Sequence, residues 1–133
     1  MALKVDVSAG EFLDKITILE IKSERIKDEA KRRNVNTELD LLRRTWRESP
    51  LSRIDVSAQM ANLKNVNERL WDIEDRIRLK EGAQTFDDEF IELARSVYQI
   101  NDKRAAIKRE LNRILKSDLI EEKDYPGYSP PTN

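Results

Sequence analysis

The stretch ELARSVYQINDKRAAIKREL, Glu92 to Leu111, decides the fold. Around it Phe86, Leu93, Ile100, Ile107 and Ile114 recur every seven residues, and Phe90, Val97 and Leu111 fill three of the four intervening seam positions. That spacing predicts a long helix whose apolar seam faces other helices. The fourth intervening position is Arg104. A guanidinium between packed helices needs a carboxylate beside it, because a lone buried charge costs several kcal/mol.

Working outward, Thr85 with Asp88 three residues on predicts the cap of this helix, which continues to about Lys116. Upstream, Leu63, Val66, Leu70, Ile73 and Ile77 form the seam of a helix from about Ala58 to Glu81, stopped by Gly82. The short EGAQT connection predicts that these two helices form an antiparallel hairpin. Nearer the start, LKVDVSAGEF alternates Leu3, Val5 and Val7 with polar residues, which predicts a minimal strand. Ser8 and Glu11 then have capping-box spacing.

A long first helix is expected from about Ala9 to Arg33, with Asn34 as its stop. Its main stripe is Phe12, Ile16, Leu19, Ile26 and Ala30, while Leu13, Thr17 and Ile21 lie on a second side. A helix apolar on two sides is central to a bundle or covered by another subunit, so these three residues are the candidate homodimer interface. A short helix follows from about Thr37 to Glu48, with Leu39, Leu42 and Trp46 on one side and Pro50 ending it. SPLSRIDVS reads as a loop with a scrap of strand at Ile54–Val56. RIDVSA echoes KVDVSA, but the match decays at once and both end in a serine placed as an N-cap, so it is read as coincidence.

The expected fold is therefore all-α: an antiparallel helical bundle of three long helices plus one short helix, with a minimal N-terminal strand. Residues 1–124 form a single domain and 125–133 an irregular tail. Tyr125 and Tyr128 are expected to dock on the bundle and the last five residues to be loose.

Composition narrows the function. The 133 residues suit one domain, and the chain has no Cys and no His. Thiol nucleophiles, disulfides, His- or Cys-based zinc sites and imidazole acid–base chemistry are excluded. Lys plus Arg number 25 against 26 Asp plus Glu, interleaved and with a net charge of −1. No one-sign basic surface is present for nucleic acid or anionic membranes. No apolar run approaches a membrane span and no signal-like segment follows Met1, so the chain reads as cytoplasmic. No cofactor is expected.

Three readings of Arg104 stay open. By helical spacing Asn101, Arg104 and Lys108 share one side of their helix, and Asn67 and Glu74 border the seam of the preceding one. The first reading is a structural ion pair with Glu74, or with Asp72, Asp75 or Glu20 as substitutes, fixing register. The second is a pocket in which Arg104, Lys108, Asn101, Glu74 and Asn67 hold a small carboxylate or phosphate. The third lets Arg104 snorkel to solvent.

Asp72 and Asp75, with Asp87, Asp88 and Glu92, form an acidic grouping whose oxygens suit Mg²⁺. Glu89 to Glu92 matches the ExxE spacing of the helical nucleotide pyrophosphatases, but no ExxD follows. Acidic residues in a first helical turn suit the macrodipole without a metal, so no metal site is assigned. Trp46, Trp71 and Tyr98 are read as packing residues.

SAGEFLDKITILEIKSERI, LWDIEDRIRLKE and FIELARSVYQINDKRAAIKRELN together resemble a family of small bacterial proteins of unknown function, over roughly Val5 to Tyr125. The resemblance implies a helical fold with no assigned activity, found near genes for sugar transfer and surface polysaccharide. It draws attention to Glu11, Asp14, Lys15, Glu20, Glu74, Asp75, Arg76, Asn101, Arg104 and Lys108. NERLWDIEDRIR and NDKRAAIKREL are also similar in residue type to helices of the all-helical chorismate mutases, which grip a dicarboxylate with Arg and Lys; no full active-site set aligns. The leading expectation is a non-enzymatic interaction or accessory module acting as a homo-oligomer. The alternative is a protein handling a small anionic ligand, a lyase, mutase or hydrolase.

Overall fold

Ser8 starts the first helix: its backbone is extended, and its hydroxyl accepts the Glu11 N–H at 3.2 Å. In the computed structural model, which describes residues 1–128, α1 spans Ala9–Arg25 and α2 Glu29–Glu48. A single 3-10 turn covers Pro50–Arg53, followed by α3, Ser57–Gly82, and α4, Asp88–Ile114. All regular structure among the described residues is helical. The strands expected at Leu3–Val7 and Ile54–Val56 do not form; both stretches lack regular structure.

The main correction concerns the first two helices. A single helix to Arg33 was expected; instead the chain breaks at Ile26, whose backbone is extended, and Asp28 caps a new helix by accepting the Lys31 N–H. Lys22 and Arg25 in the last turn of α1 and Glu29 in the first of α2 suit the dipoles at that break. Asn34 is therefore interior to α2 and stops nothing, and α2 is 20 residues long rather than short. Asn36 accepts the Ser23 hydroxyl at 2.6 Å, tying α2 to α1.

Three boundaries also move. Asp87, not Thr85, caps α4 by accepting the Phe90 N–H at 2.9 Å. Gly82 is the last residue of α3, and the left-handed residue beyond it is Gln84 at φ 54°. Ser57 opens α3 from inside the helix, with its N–H donated to Asp55 at 3.0 Å.

Lys80 reaches Asp87 at 2.8 Å and Arg76 reaches Glu89 at 2.6 Å, so the chain reverses there and α4 returns alongside α3. Helix α1 packs on α2, α3 and α4, whereas α2 packs on α1 and the 3-10 turn. The core is Leu13, Ile16, Leu19, Leu39, Val56, Leu63, Leu111 and Leu115, with Trp46 closing one side against Phe12. Both apolar sides of α1 are thus covered by the chain's own helices. Leu13, Thr17 and Ile21, the expected subunit interface, are each 0–1% exposed inside a single copy. No described helix is long and apolar enough to cross a membrane.

The start of α1 meets the end of α4 closely. Its first N–H groups, which lack partners within the helix, donate to α4 and beyond: Ala9 to Ser117 at 3.1 Å and Gly10 to Asn112 Oδ1 at 2.7 Å. Gly10 permits this approach. A Cβ there would stand 2.5 Å from the Lys108 carbonyl oxygen.

Candidate functional site

The buried acid at the centre is Asp14. It sits three residues before Thr17 and seven before Ile21 on α1, so it shares their side of the helix. It is 1% exposed. Arg104 clamps it with two parallel donors, Nε to Oδ1 at 3.0 Å and Nη2 to Oδ2. Asn67 Nδ2 donates to the same Oδ1 at 2.8 Å and to Thr17 Oγ1 at 2.9 Å, and Thr17 donates back to the Asp14 carbonyl at 2.8 Å. One carboxylate therefore ties α1, α3 and α4 together.

One turn along α4 from Arg104, Lys108 extends the cluster. Its Nζ donates to Glu11 at 2.6 Å and to Glu121 at 2.9 Å, and stands 3.9 Å from Asp14. Glu11 thus supplies only the first half of its capping box: its N–H bonds Ser8, but its carboxylate turns to Lys108. Three carboxylates face two cations, and no buried side-chain polar atom among the described residues lacks a hydrogen bond. Such full satisfaction is what a buried polar network needs in order not to destabilise the fold.

The charges are held firmly. Hydrogen bonding to Asp14 raises the Arg104 guanidinium above its ordinary value, against the opposing effect of burial. Burial pushes the Lys108 ammonium down, but hydrogen bonds to Glu11 and Glu121 outweigh it and leave the pKa raised. Glu121 is lowered, first by its bond to Lys108 and then by Glu11. A depressed carboxyl contributes stability above its unfolded-state value and loses it as pH falls through the lower folded value. Glu121→Gln is therefore expected to unfold more easily than the parent in urea at pH 7. The gap should close on acidification below the ordinary carboxylate range; a gap unchanged down to pH 3 contradicts the Lys108 contact.

Of the residues singled out in the sequence, Arg104, Lys108 and Asn67 meet in this cluster, together with Glu11 and Asp14 from the positions the resemblance marks. Glu74 does not. It lies seven residues beyond Asn67, roughly 10 Å along α3 at 1.5 Å per residue, and pairs with Arg78 at 3.5 Å. Two of the substitutes are engaged elsewhere as well, Asp72 with Arg25 at 2.5 Å and Glu20 with Arg43 at 3.4 Å, while Asp75 lines a groove that Arg104 also borders without bonding to it. Asn101 lines a groove of about 850 Å³ between α4 and the returning tail, where Tyr98 and Tyr128 pack at 4.8 Å. Arg104 also borders a shallow groove of about 490 Å³ with Asn67, Trp71 and Glu74. Its side chain is 26% exposed there.

The acidic grouping is dispersed: Asp87 binds Lys80 and Glu89 binds Arg76. No three acidic side chains among the described residues are grouped so as to hold a metal ion. The residues that sequence reasoning missed are Asn112 and Glu121; Asp14 is among the positions the resemblance marks, but not as the partner of Arg104. Asp14 carried a signal, a carboxylate on the second apolar side of α1; Glu121 carried none.

The model of a family of unknown function, DUF6165, matches residues 3–132. The chain belongs to DUF6165. The match runs through α1 to α4 and so takes in every member of the Asp14–Arg104–Lys108 cluster. No curated protein and no solved structure matches the chain.

Proposed function

We propose that this DUF6165 chain is a non-enzymatic interaction module of the cytoplasm, working as a homo-oligomer, and that its buried polar cluster fixes how α1 sits on α3 and α4. The observation that carries this reading is that Arg104 turns its Nε–Nη2 edge, the one with two parallel donors, to the buried Asp14 carboxylate of its own chain. An anion-binding arginine needs its fork open toward a ligand. Lys108 is closed in the same way by Glu11 and Glu121. For Lys108, or for the edge of Arg104 that grips Asp14, to hold a small anion, a carboxylate of the chain itself must first be displaced.

The antiparallel run of α3 beside α4, with α1 inserted against both, supports a single rigid unit over residues 1–124. Most of its large apolar side chains left at the surface lie toward the two ends, with Leu41 and Tyr98 along the length between them. Leu3, Val5, Val7, Leu119 and Ile120 are exposed at one, and Leu79, Phe86 and Ile91 at the other. Contact with another copy then occurs through an end and not through the α1 residues first expected.

Thermal unfolding with phosphate, succinate and citrate tests the reading, each against chloride at matched ionic strength. No specific stabilisation is expected. A ligand present at 100 times its dissociation constant would add about 2.7 kcal/mol, which is several degrees for a chain of this size. A rise of that order, abolished by Arg104→Met, overturns the reading in favour of an anion site.

A further inference from the structure

Resting on the homo-oligomeric reading, we propose that residues Leu3–Val7 pair with the same residues of a second copy, as an antiparallel ribbon centred on Val5. The segment Leu3-Lys4-Val5-Asp6-Val7 has the period-two pattern of a strand with one apolar face, yet it carries no regular structure. Leu3 is 92% exposed and Val5 78%. Among the described residues, no backbone N–H or carbonyl of residues 3–7 makes a hydrogen bond. A strand-patterned segment with unpaired backbone is a template for another strand.

The charge pattern selects the occupant. In an antiparallel pair centred on Val5, Lys4 of each copy lies opposite Asp6 of the other, and Leu3 lies opposite Val7. Centring on Lys4 puts two lysines face to face, and centring on Asp6 puts two aspartates so. A parallel in-register pair aligns both like-charged sets. Registers shifted by one place an apolar residue opposite a charge and turn half the apolar side chains to water. Opposite charges across a strand pair stabilise and like charges destabilise, so one register satisfies the segment, and it is self-complementary.

The apolar face has a seat. Val5 and Val7 edge a groove of about 520 Å³ whose floor includes Phe12, Trp46, Leu51 and Leu115. Leu119, 45% exposed, lies beside it. The ribbon directs the Leu3, Val5 and Val7 side chains of both copies to one side, over these grooves. A two-stranded ribbon alone is marginal in water; burial against the groove supplies the rest. The contact belongs to the small, weak class of interfaces.

The test uses the full chain in sedimentation velocity over a concentration series, with helix content checked by circular dichroism. Lys4→Glu turns both cross-strand pairs repulsive and is expected to raise the dimer dissociation constant about tenfold. Adding Asp6→Lys restores opposite charges and should bring it back to within about twofold of the parent. Because the chain lacks cysteine, cross-linking reads the register directly. Val5→Cys faces its own copy within disulfide reach and should oxidise to a covalent dimer. Leu3→Cys lies roughly 13 Å from its copy along the ribbon, beyond that reach, and should stay unlinked. A dimer indifferent to the charge swap, or one in which both cysteines link equally, overturns this pairing and leaves the homo-oligomer standing. A chain that stays monomeric at every concentration overturns both.

Discussion

Arg104→Met is expected to lower the unfolding free energy by about 3–5 kcal/mol, the cost of leaving a buried charge without its partner. The cost is large because Asp14 is 1% exposed and cannot turn to water. With the guanidinium gone, it keeps only Asn67 at 2.8 Å and Lys108 at 3.9 Å. Removing the other partner should cost less. In Asp14→Leu the stranded group is Arg104, whose side chain is 26% exposed and can extend into the groove beside it. Asn67 still has Thr17 as an acceptor. About 1–3 kcal/mol is expected there, the usual penalty for imperfectly satisfied polar groups. Urea denaturation of the two variants checks the asymmetry; a milder loss for Arg104→Met than for Asp14→Leu contradicts the burial argument. Arg104→Lys should fall short of the parent as well, since an ammonium cannot reproduce two parallel bonds to one carboxylate.

Gly10→Ala is the second large effect, at about 3 kcal/mol, toward the upper end of overpacking costs. Alanine is ordinarily the better helix former by up to about 1 kcal/mol, so propensity alone predicts a gain. The contact decides the sign. The new methyl would lie 2.5 Å from the Lys108 carbonyl oxygen, a backbone atom that cannot rotate away, and 3.0 Å from Asn112 Oδ1. Relief requires the first turn of α1 to lift from α4, which weakens the Gly10 to Asn112 hydrogen bond and pulls Glu11 from Lys108. Thermal unfolding compared with Gly82→Ala provides the control, because no atom lies within 4 Å of a Cβ built at Gly82. A Gly10→Ala protein as stable as the parent contradicts the close crossing of α1 and α4.

How much of this was legible in the sequence depends on the range of the interaction. The seams of α3 and α4 are local periodicities, and both helices form over them, although Phe86, the first expected seam residue, lies before α4 and is exposed. The break between α1 and α2 was also encoded locally, by Asp28 before Glu29. It was hidden because Ile26 and Ala30 extend the apolar stripe of α1 across it. The need of Arg104 for a carboxylate was legible from its seam position. Its partner was not, because Glu74 and Asp14 both lie at apolar-facing positions and only the axial register of the helices distinguishes them.

That register is a tertiary quantity. It is set in part by Gly10, which sequence reading passes over, and by the N–H bonds from α1 to Asn112 and Ser117. The second apolar side of α1 suggests a subunit interface in the sequence for a related reason. Periodicity shows that a face is apolar and does not show whether the chain itself covers it. Thr17 on that face is a hydrogen-bonding member of the cluster, and Leu13 and Ile21 are interior.

A double-mutant cycle over Arg104 and Asp14 tests the central claim most directly. If the two charges exist for one another, Arg104→Met with Asp14→Leu should be more stable than Arg104→Met alone, recovering much of its loss. Costs of the two single changes that simply add, to within about 0.5 kcal/mol, would show instead that the arginine and the aspartate act independently.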